Sequence, residues 1–289
     1  MDRLVDQLQF FASFSPIVRA RFMDRLWGKY PSCETDNWDS LGLFLEGYAF
    51  ERQGRRPDYP HAAVDAIISM KGNDWPTEDA AATVWERFRK SLKETGLNEV
   101  NNPLCPMGTK YKHKTGAAAT HKKSIIEFLS ELSTTAPTPT LITFARLGLD
   151  LDRISSIHSV IQNVNGIGPK IASLFLRDVG VFYKQFPLKD RHLLQPVDVW
   201  VGRAVEKLGG PKYEMKKDVI KEVQLWIVEN SKAVVGPEEI NQGMWYFASQ
   251  IAGSNYRLEK ALDNLSYAKE LACQHKQALK LGAESIILE

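Results

Sequence analysis

The sequence has few cysteines. Cys33, Cys105 and Cys273 are the three that occur among 289 residues, and they lie far apart along the chain. No pair has the short spacing of a local zinc motif, and an odd number argues against a framework of disulfide bonds. We therefore expect a protein of a reducing compartment, without a local cysteine metal site or a disulfide scaffold.

Long apolar runs and metal-ligand motifs are also missing. No stretch approaches the ~18 apolar residues of a membrane-spanning helix, and the first ten residues lack the basic and then apolar pattern of a signal peptide. We expect no membrane association and a cytoplasmic location. The six histidines have no HxxxH or HD spacing, which disfavours a metal-dependent hydrolase.

The net charge is small, but it is unevenly distributed. The 37 basic and 35 acidic residues give only +2, so the chain as a whole does not indicate a nucleic-acid partner. Residues 110–123, however, contain five lysines, two histidines and no acid, and residues 166–212 contain eight basic against four acidic residues. Such segments are either solvated surfaces or phosphate-binding ones.

The hydrophobic pattern is helical. Apolar residues recur three and four positions apart in residues 64–70, 80–94, 122–132 and 216–229. Long alternating strands are absent, and proline and glycine breakers separate the periodic segments. The pattern predicts an all-α protein of ten to twelve short helices, with a basic loop at 110–123 and one long or broken closing helix from Tyr256 onwards.

The most informative pattern is NGIGPK at residues 165–170, between a short helical stretch and an apolar periodic helix. Two glycines around one aliphatic residue predict a tight turn, here called the glycine turn (residues 165–168). Its N–H groups, at the start of the next helix, can bind a phosphate of one DNA strand. A dinucleotide-binding unit would also need a preceding strand and a ribose-binding acid, and neither is evident.

Two downstream segments extend this pattern. Residues 195–201 (QPVDVWV) place Asp198 before a further helix, and residues 238–247 (EEINQGMWYF) follow later. With the glycine turn, they resemble the helix-hairpin-helix (HhH-GPD) DNA glycosylase superfamily, most specifically over residues 157–207.

The resemblance implies two interlocked helical lobes with a substrate cleft between them. Residues 41–188 would form a lobe ending in the hairpin, and residues 1–40 with 189–289 would form the lobe that carries the catalytic aspartate.

The resemblance also implies a bifunctional glycosylase and AP lyase with Lys170 as its nucleophile. The amine would attack C1′ of a damaged nucleotide, expel the base and leave a Schiff base that permits strand cleavage by β-elimination. Asp198 would cap its helix and also stabilise the cationic sugar and assist deprotonation of Lys170. The alternatives are a Lys170 that contacts only phosphate and an Asp198 that is only a cap.

Further positions follow from the same resemblance, since these enzymes flip the target base into a pocket. The candidates for the base pocket are Trp200, Asn241, Gln242, Trp245 and Phe247. The candidates for DNA-backbone binding are Asn165, Gly166, Gly168, Lys112 and Lys114. The candidates for the plug that fills the gap left by the flipped base are Gln53, Asn101 and Asn102.

The cysteine count selects a branch of this superfamily. A four-iron cluster normally needs four thiolates, so the chain resembles the cluster-free 8-oxoguanine glycosylase/AP lyase branch and its archaeal relatives. We expect a monomer in a bacterial or archaeal cytoplasm that acts on double-stranded DNA with a modified base. We expect no cofactor, although the resemblance allows a monovalent cation at the glycine turn.

Three other functions remain open at this stage. One is a monofunctional glycosylase in which Asp198 guides a water molecule. Another is a glycosylase for a hypermodified base in foreign DNA, such as phage DNA. The third is a non-catalytic DNA-binding repair scaffold that keeps the glycine turn only to hold phosphates.

Overall fold

The computed structural model describes residues 3–50, 58–68, 70, 78–97, 102–113, 116–135, 140–232 and 234–287. Helices make up 72% of the structure, which confirms the all-α class. Fifteen α-helices lie within the described ranges, more than expected, because α2 and α3 are only four and five residues long and the closing stretch is divided into two helices, α14 and α15. None of these helices combines the length and the apolarity that crossing a lipid bilayer requires.

In chain order the α-helices are α1 (Arg3–Ala12), α2 (Ser15–Val18), α3 (Arg25–Lys29), α4 (Asn37–Phe44), α5 (Asp58–Ile68), α6 (Glu78–Glu94), α7 (Ile125–Thr135), α8 (Leu141–Asp150), α9 (Ile154–Ile161), α10 (Pro169–Tyr183), α11 (Val199–Lys207), α12 (Lys217–Ser231), α13 (Pro237–Tyr246), α14 (Asn255–Asp263) and α15 (Leu265–Ile287). The π-helical segments are Arg19–Asp24, Leu45–Phe50 and Phe247–Ala252, and Arg191–Leu194 is a 3₁₀ turn. The periodic segments of the sequence fall in α5, α6, α7 and α12.

The chain forms two compact units. The central unit is Phe22–Leu194, and the terminal unit combines Met1–Arg21 with Gln195–Glu289. The lobes expected from the sequence had their boundaries at residues 40/41 and 188/189. The expected central lobe therefore lacks residues 22–40, which include α3 and the first half of α4, and residues 189–194, which include the 3₁₀ turn.

One continuous apolar core fills the central unit, and α10 crosses it. Every residue of α10 from Ile171 to Gly180 is buried. Phe175 meets the rings of Phe44 and Tyr48 edge-on, with centroids 5.1 and 5.3 Å away. This packing fixes α10, and with it the turn that precedes the helix, against the core.

The core of the terminal unit is aromatic, and α1 packs closely on α13. Phe247 lies among the rings of Phe10, Phe11 and Phe14 at centroid distances of 5.3 to 5.8 Å. At Gly243 the two helices touch, because a β-carbon there would lie 1.7 Å from the carbonyl oxygen of Phe11. The closing helix is broken, as the sequence allowed: α14 and α15 meet at Asn264.

The basic segment forms a β-hairpin where the sequence predicted a loop. Strands β1 (Lys110–His113) and β2 (Gly116–Ala119) pair antiparallel, with Lys110 opposite Ala119. The two strands, KYKH and GAAA, are only four residues long, which is too short for a clear apolar alternation, so the sequence gives no strand signal here. The helix start behind the segment is present: Ser124 Oγ accepts from Glu127 N at 3.1 Å, and the Glu127 carboxylate accepts from Ser124 N at 2.6 Å.

Candidate functional site

The glycine turn joins α9 to α10 in the central unit. Gly166 has φ = +72°, a conformation that favours glycine. Gly168 is the N-cap of α10, with Pro169 as the first helical residue, and no side chain caps this end. A β-carbon at Gly168 would meet no atom within 4 Å. The turn therefore presents a helix N-terminus without a side-chain cap and open space in front of Gly168, an arrangement that suits an anion.

Contacts within the central unit hold the rest of the glycine turn in place. Ile167 is buried in the core. The backbone of Asn165 donates to the Lys123 carbonyl at 2.7 Å, and its side-chain amide donates to the Cys105 carbonyl at 3.3 Å. Asn165 is only 1% exposed. Its expected role in DNA-backbone binding is therefore corrected to an internal one, because its backbone N–H and its side-chain amide both bind carbonyl oxygens of the central unit.

His158 links α9 to the first turn of α10. Its Nε2 lies 3.1 Å from Ser173 Oγ and 3.3 Å from the Pro169 carbonyl oxygen. Gln162 Nε2 donates to His158 Nδ1 at 2.9 Å, so the neutral ring carries its proton on Nε2. Burial lowers the pKa of His158, opposed by the bond to the Pro169 carbonyl, while His192 lowers the pKa further. His158 thus supports, in its neutral form, the residue that precedes Lys170.

Lys170 is the second residue of α10 and is exposed. Its neighbours Ile171 and Ala172 are buried and both donate their N–H groups to the Gly168 carbonyl at 3.1 Å. The amine is thus on the surface, on a helix turn anchored in the core. This placement makes the amine accessible to an external substrate.

Asp198 is the N-cap of α11 in the terminal unit, which confirms the capping role expected for it. Its Oδ1 accepts from the backbone N–H groups of Trp200 and Val201, each at 3.0 Å. Burial and, second, the charge of Asp198 raise the pKa of Tyr213, with Arg203 opposing. Tyr213 therefore stays a neutral phenol near this carboxylate. Sequence reasoning missed it, because it lies in the irregular segment between α11 and α12.

Buried polar side chains hold the segment that leads to Asp198. Gln224 donates to the Gln195 carbonyl at 2.8 Å, Gln195 Nε2 donates to Glu238 Oε1 at 3.1 Å, and Asn241 donates to the Pro196 carbonyl at 3.1 Å. These groups lie on α12 and α13 and are buried. They set the backbone that carries the carboxylate, a role that no local pattern in the sequence reveals.

Three of the base-pocket candidates are corrected by this packing. Asn241 and Gln242 are fully buried; the first holds Pro196, and the second accepts from Ser15 Oγ at 2.7 Å. Phe247 belongs to the aromatic core of the terminal unit. Trp200 and Trp245 are partly exposed, so they stay candidates for contact with a base.

The plug candidates and the basic segment are only partly described. Gln53, Asn101 and Lys114 lie outside the described residues, and Lys112 belongs to β1. Asn102 is fully buried, and its Oδ1 accepts from Leu104 N at 2.9 Å. The expectation that Asn102 enters the DNA stack is therefore wrong, because its side chain closes a turn inside the central unit.

Among the described residues, no three histidine, cysteine, aspartate or glutamate side chains are gathered as metal ligands would be. Cys33 and Cys105 are buried, and Cys273 is exposed.

Comparison with known proteins gives a relative but no family. The chain is 23% identical over 223 residues to "Uncharacterized protein MJECL21" of Methanocaldococcus jannaschii, an alignment that covers 69% of this chain and 48% of the relative. The chain thus spans about half the length of the curated relative that it matches. No family model matches the sequence. No solved structure matches it either.

Proposed function

We propose that the protein is a DNA glycosylase with AP-lyase activity that removes a damaged or modified base, with 8-oxoguanine as the first substrate to test. The observation that carries the proposal is the unit formed by α9, the glycine turn and α10. It combines a helix N-terminus that no side chain caps, open space at Gly168 and an exposed lysine two residues later.

In this proposal a DNA phosphate binds the amides at the glycine turn, as anions do at helix N-termini. The amine of Lys170 attacks C1′ of the flipped nucleotide. The bond from C1′ to the base breaks, and its electron pair leaves with the base, which takes up a proton. Opening of the sugar ring gives an imine that acidifies the C2′ hydrogen, and β-elimination then expels the 3′ phosphate.

Asp198 has the chemistry to stabilise the cationic sugar of such a reaction. Two backbone N–H groups hold one of its oxygens at 3.0 Å. A negative charge that is held in place before the reaction costs no reorganisation when positive charge develops on the sugar.

Borohydride trapping tests the role of Lys170. The protein is incubated with duplexes that carry 8-oxoguanine, other modified bases or an abasic site, and the imine is reduced to a stable cross-link. We expect a cross-link with wild-type protein and with Lys184→Gln at the other end of α10, and none with Lys170→Gln. A cross-link that survives Lys170→Gln would disprove the nucleophile. Base release without strand nicking would favour the monofunctional alternative, and DNA binding without base release would favour the scaffold.

Two substitutions separate the two roles of Asp198. Asparagine keeps the acceptor oxygen of the cap, so Asp198→Asn should leave the free energy of unfolding nearly unchanged, whereas Asp198→Ala should lower it by ~1 kcal/mol. Both should slow single-turnover base release by roughly 10²–10⁴-fold, because both remove the charge. An unchanged rate for Asp198→Asn would leave Asp198 as a helix cap alone.

A further inference from the structure

Lys122 reaches from the segment behind the β-hairpin to the glycine turn. Its Nζ donates to the Gln162 carbonyl at 2.7 Å and lies 3.5 Å from the Ile167 carbonyl oxygen. Gln162 is the C-cap of α9, and Ile167 lies inside the turn. One ammonium group therefore bridges two carbonyl oxygens that lie on either side of the bend.

The backbone holds Lys122 in register with the turn. Thr120 Oγ1 accepts from Lys122 N and donates to the Lys122 carbonyl, both at 3.2 Å. The next carbonyl, that of Lys123, accepts the Asn165 N–H at 2.7 Å, and Lys123 forms a parallel bridge with Val164. The contacts of Thr120 and Lys123 thus place the α-carbon of Lys122 beside the glycine turn.

Carbonyl oxygens at such a bend are ligands for a small cation. The carbonyl of Gln162 ends a helix and carries the partial negative charge of a helix C-terminus, and backbone carbonyls can replace the hydration shell of a potassium ion. Lys122 brings a positive charge and three N–H donors to the same oxygens. A free ion at this position would compete with the ammonium for its ligands and be repelled by its charge. A bound monovalent ion, which the sequence resemblance allowed, therefore does not fit beside Lys122.

We infer that Lys122 is a tethered cation, which holds the glycine turn as a bound monovalent ion would and makes the turn independent of potassium and sodium. Lys122 is exposed, so its removal opens the two carbonyl oxygens to ions from solution. The variant without this ammonium group then acquires an ion dependence that the wild-type protein lacks. The inference rests on the proposed function only in the experiment that measures DNA binding.

The test compares Lys122→Met with wild type in potassium chloride and in tetramethylammonium chloride at equal ionic strength, since tetramethylammonium is too large for the turn. Affinity is measured by fluorescence anisotropy on a duplex with a tetrahydrofuran abasic-site analogue. We expect equal wild-type affinity in the two salts. For Lys122→Met we expect affinity about tenfold weaker in tetramethylammonium than in potassium. Lys110→Met removes one charge from the same basic segment and is expected to bind equally in both salts.

Thermal unfolding in the same two salts provides a readout that needs no DNA. Potassium should raise the Tm of Lys122→Met relative to tetramethylammonium by more than it raises the Tm of wild type or Lys110→Met. A wild-type protein whose Tm depends on potassium as strongly as that of Lys122→Met would overturn the inference, and so would a Lys122→Met variant that does not distinguish the salts. Absence of any DNA binding would reject the proposed function, while the unfolding data would still decide the role of Lys122.

Discussion

Gly166 and Gly168 have different reasons to be glycine. At Gly166 the positive φ of +72° disfavours a side chain, so the fold itself favours glycine. At Gly168 φ is −107° and a β-carbon would stand in open space. The fold therefore tolerates a larger residue at Gly168, and glycine is needed there only if a ligand approaches the backbone.

Alanine at each position separates folding from binding. Gly166→Ala should lower the free energy of unfolding by about 1–2 kcal/mol, measured by urea denaturation. Gly168→Ala should change it by less than ~0.5 kcal/mol but weaken binding to an abasic-site duplex, because its methyl group stands where a phosphate would lie. Wild-type affinity in Gly168→Ala would mean that DNA does not approach this turn.

His158 makes the stability of the central unit depend on pH. Its pKa is lowered by burial in the folded protein, so the unfolded chain takes up a proton first as the pH falls. The stabilisation by neutral His158 is complete above the unfolded pKa of ~6.5 and is lost as the pH falls through and below that value. His158→Asn should flatten this part of the profile of unfolding free energy against pH. An unchanged profile would show that another group causes the dependence.

The control variant for that experiment is His275→Asn. Burial lowers the pKa of His275 as well, with Arg21 as the second cause. His275 belongs to the terminal unit, so a probe placed in the central unit reports the unfolding of the unit that holds His158. A fluorescent label on the exposed side of α9 supplies such a probe.

The pairing of helices α1 and α13 depends on one close approach. Backbone atoms of Phe11 lie within 2.4 Å of the position that a Gly243 β-carbon would occupy. Neither helix can move away from the other without disturbing the ring contact between Phe11 and Phe247. Arg3 and Gln7 also donate to backbone carbonyls at the end of α14. The first helix is thereby held by the last third of the chain.

Gly243→Ala should therefore destabilise the terminal unit by ~1–3 kcal/mol through overpacking. Gly28→Ala is the matched control, because a β-carbon at Gly28 in α3 would meet nothing within 4 Å. There the higher helix propensity of alanine should stabilise by up to ~1 kcal/mol. Chemical denaturation of both variants measures the difference, and equal stabilities would contradict the close approach of the two helices.

The charge of the whole molecule predicts how DNA binding responds to salt. The net charge is only +2, so under the proposed function the affinity for DNA would depend on local cations and not on a general attraction. Each phosphate contact contributes about 0.9 to the slope of log affinity against log salt concentration. Replacing both Lys112 and Lys114 by glutamine should reduce the slope by about 2 if each lysine contacts a phosphate.

The control variant removes two positive charges from a different part of the chain. Lys276 and Lys280 are exposed on α15, and replacing both by glutamine also lowers the net charge by two. We expect this variant to keep the wild-type slope. A reduction equal to that of the Lys112 and Lys114 variant would show that net charge, and not the basic segment, sets the affinity.

The local features of the sequence were sufficient for the main helices but not for the β-hairpin or for every role. The periodic segments became helices, and Asp198 became the cap that its position before an apolar run predicts. The roles of Asn165, Asn102 and Phe247 were wrong, because a polar or aromatic residue near a motif is equally suited to a surface or to the interior. Which of the two it occupies depends on segments distant in the chain.

The sequence by itself determined the helical class, the breaks between helices and the glycine turn, because these follow from spacing and backbone preference among neighbouring residues. Only the tertiary structure decided that Cys105 and Lys123 brace Asn165, that Lys122 bridges two carbonyl oxygens of the turn, and that Asn241 holds the segment before Asp198. These contacts join residues 40 to 60 positions apart. Burial and hydrogen bonding over such separations are properties of the packed chain, which no local pattern encodes.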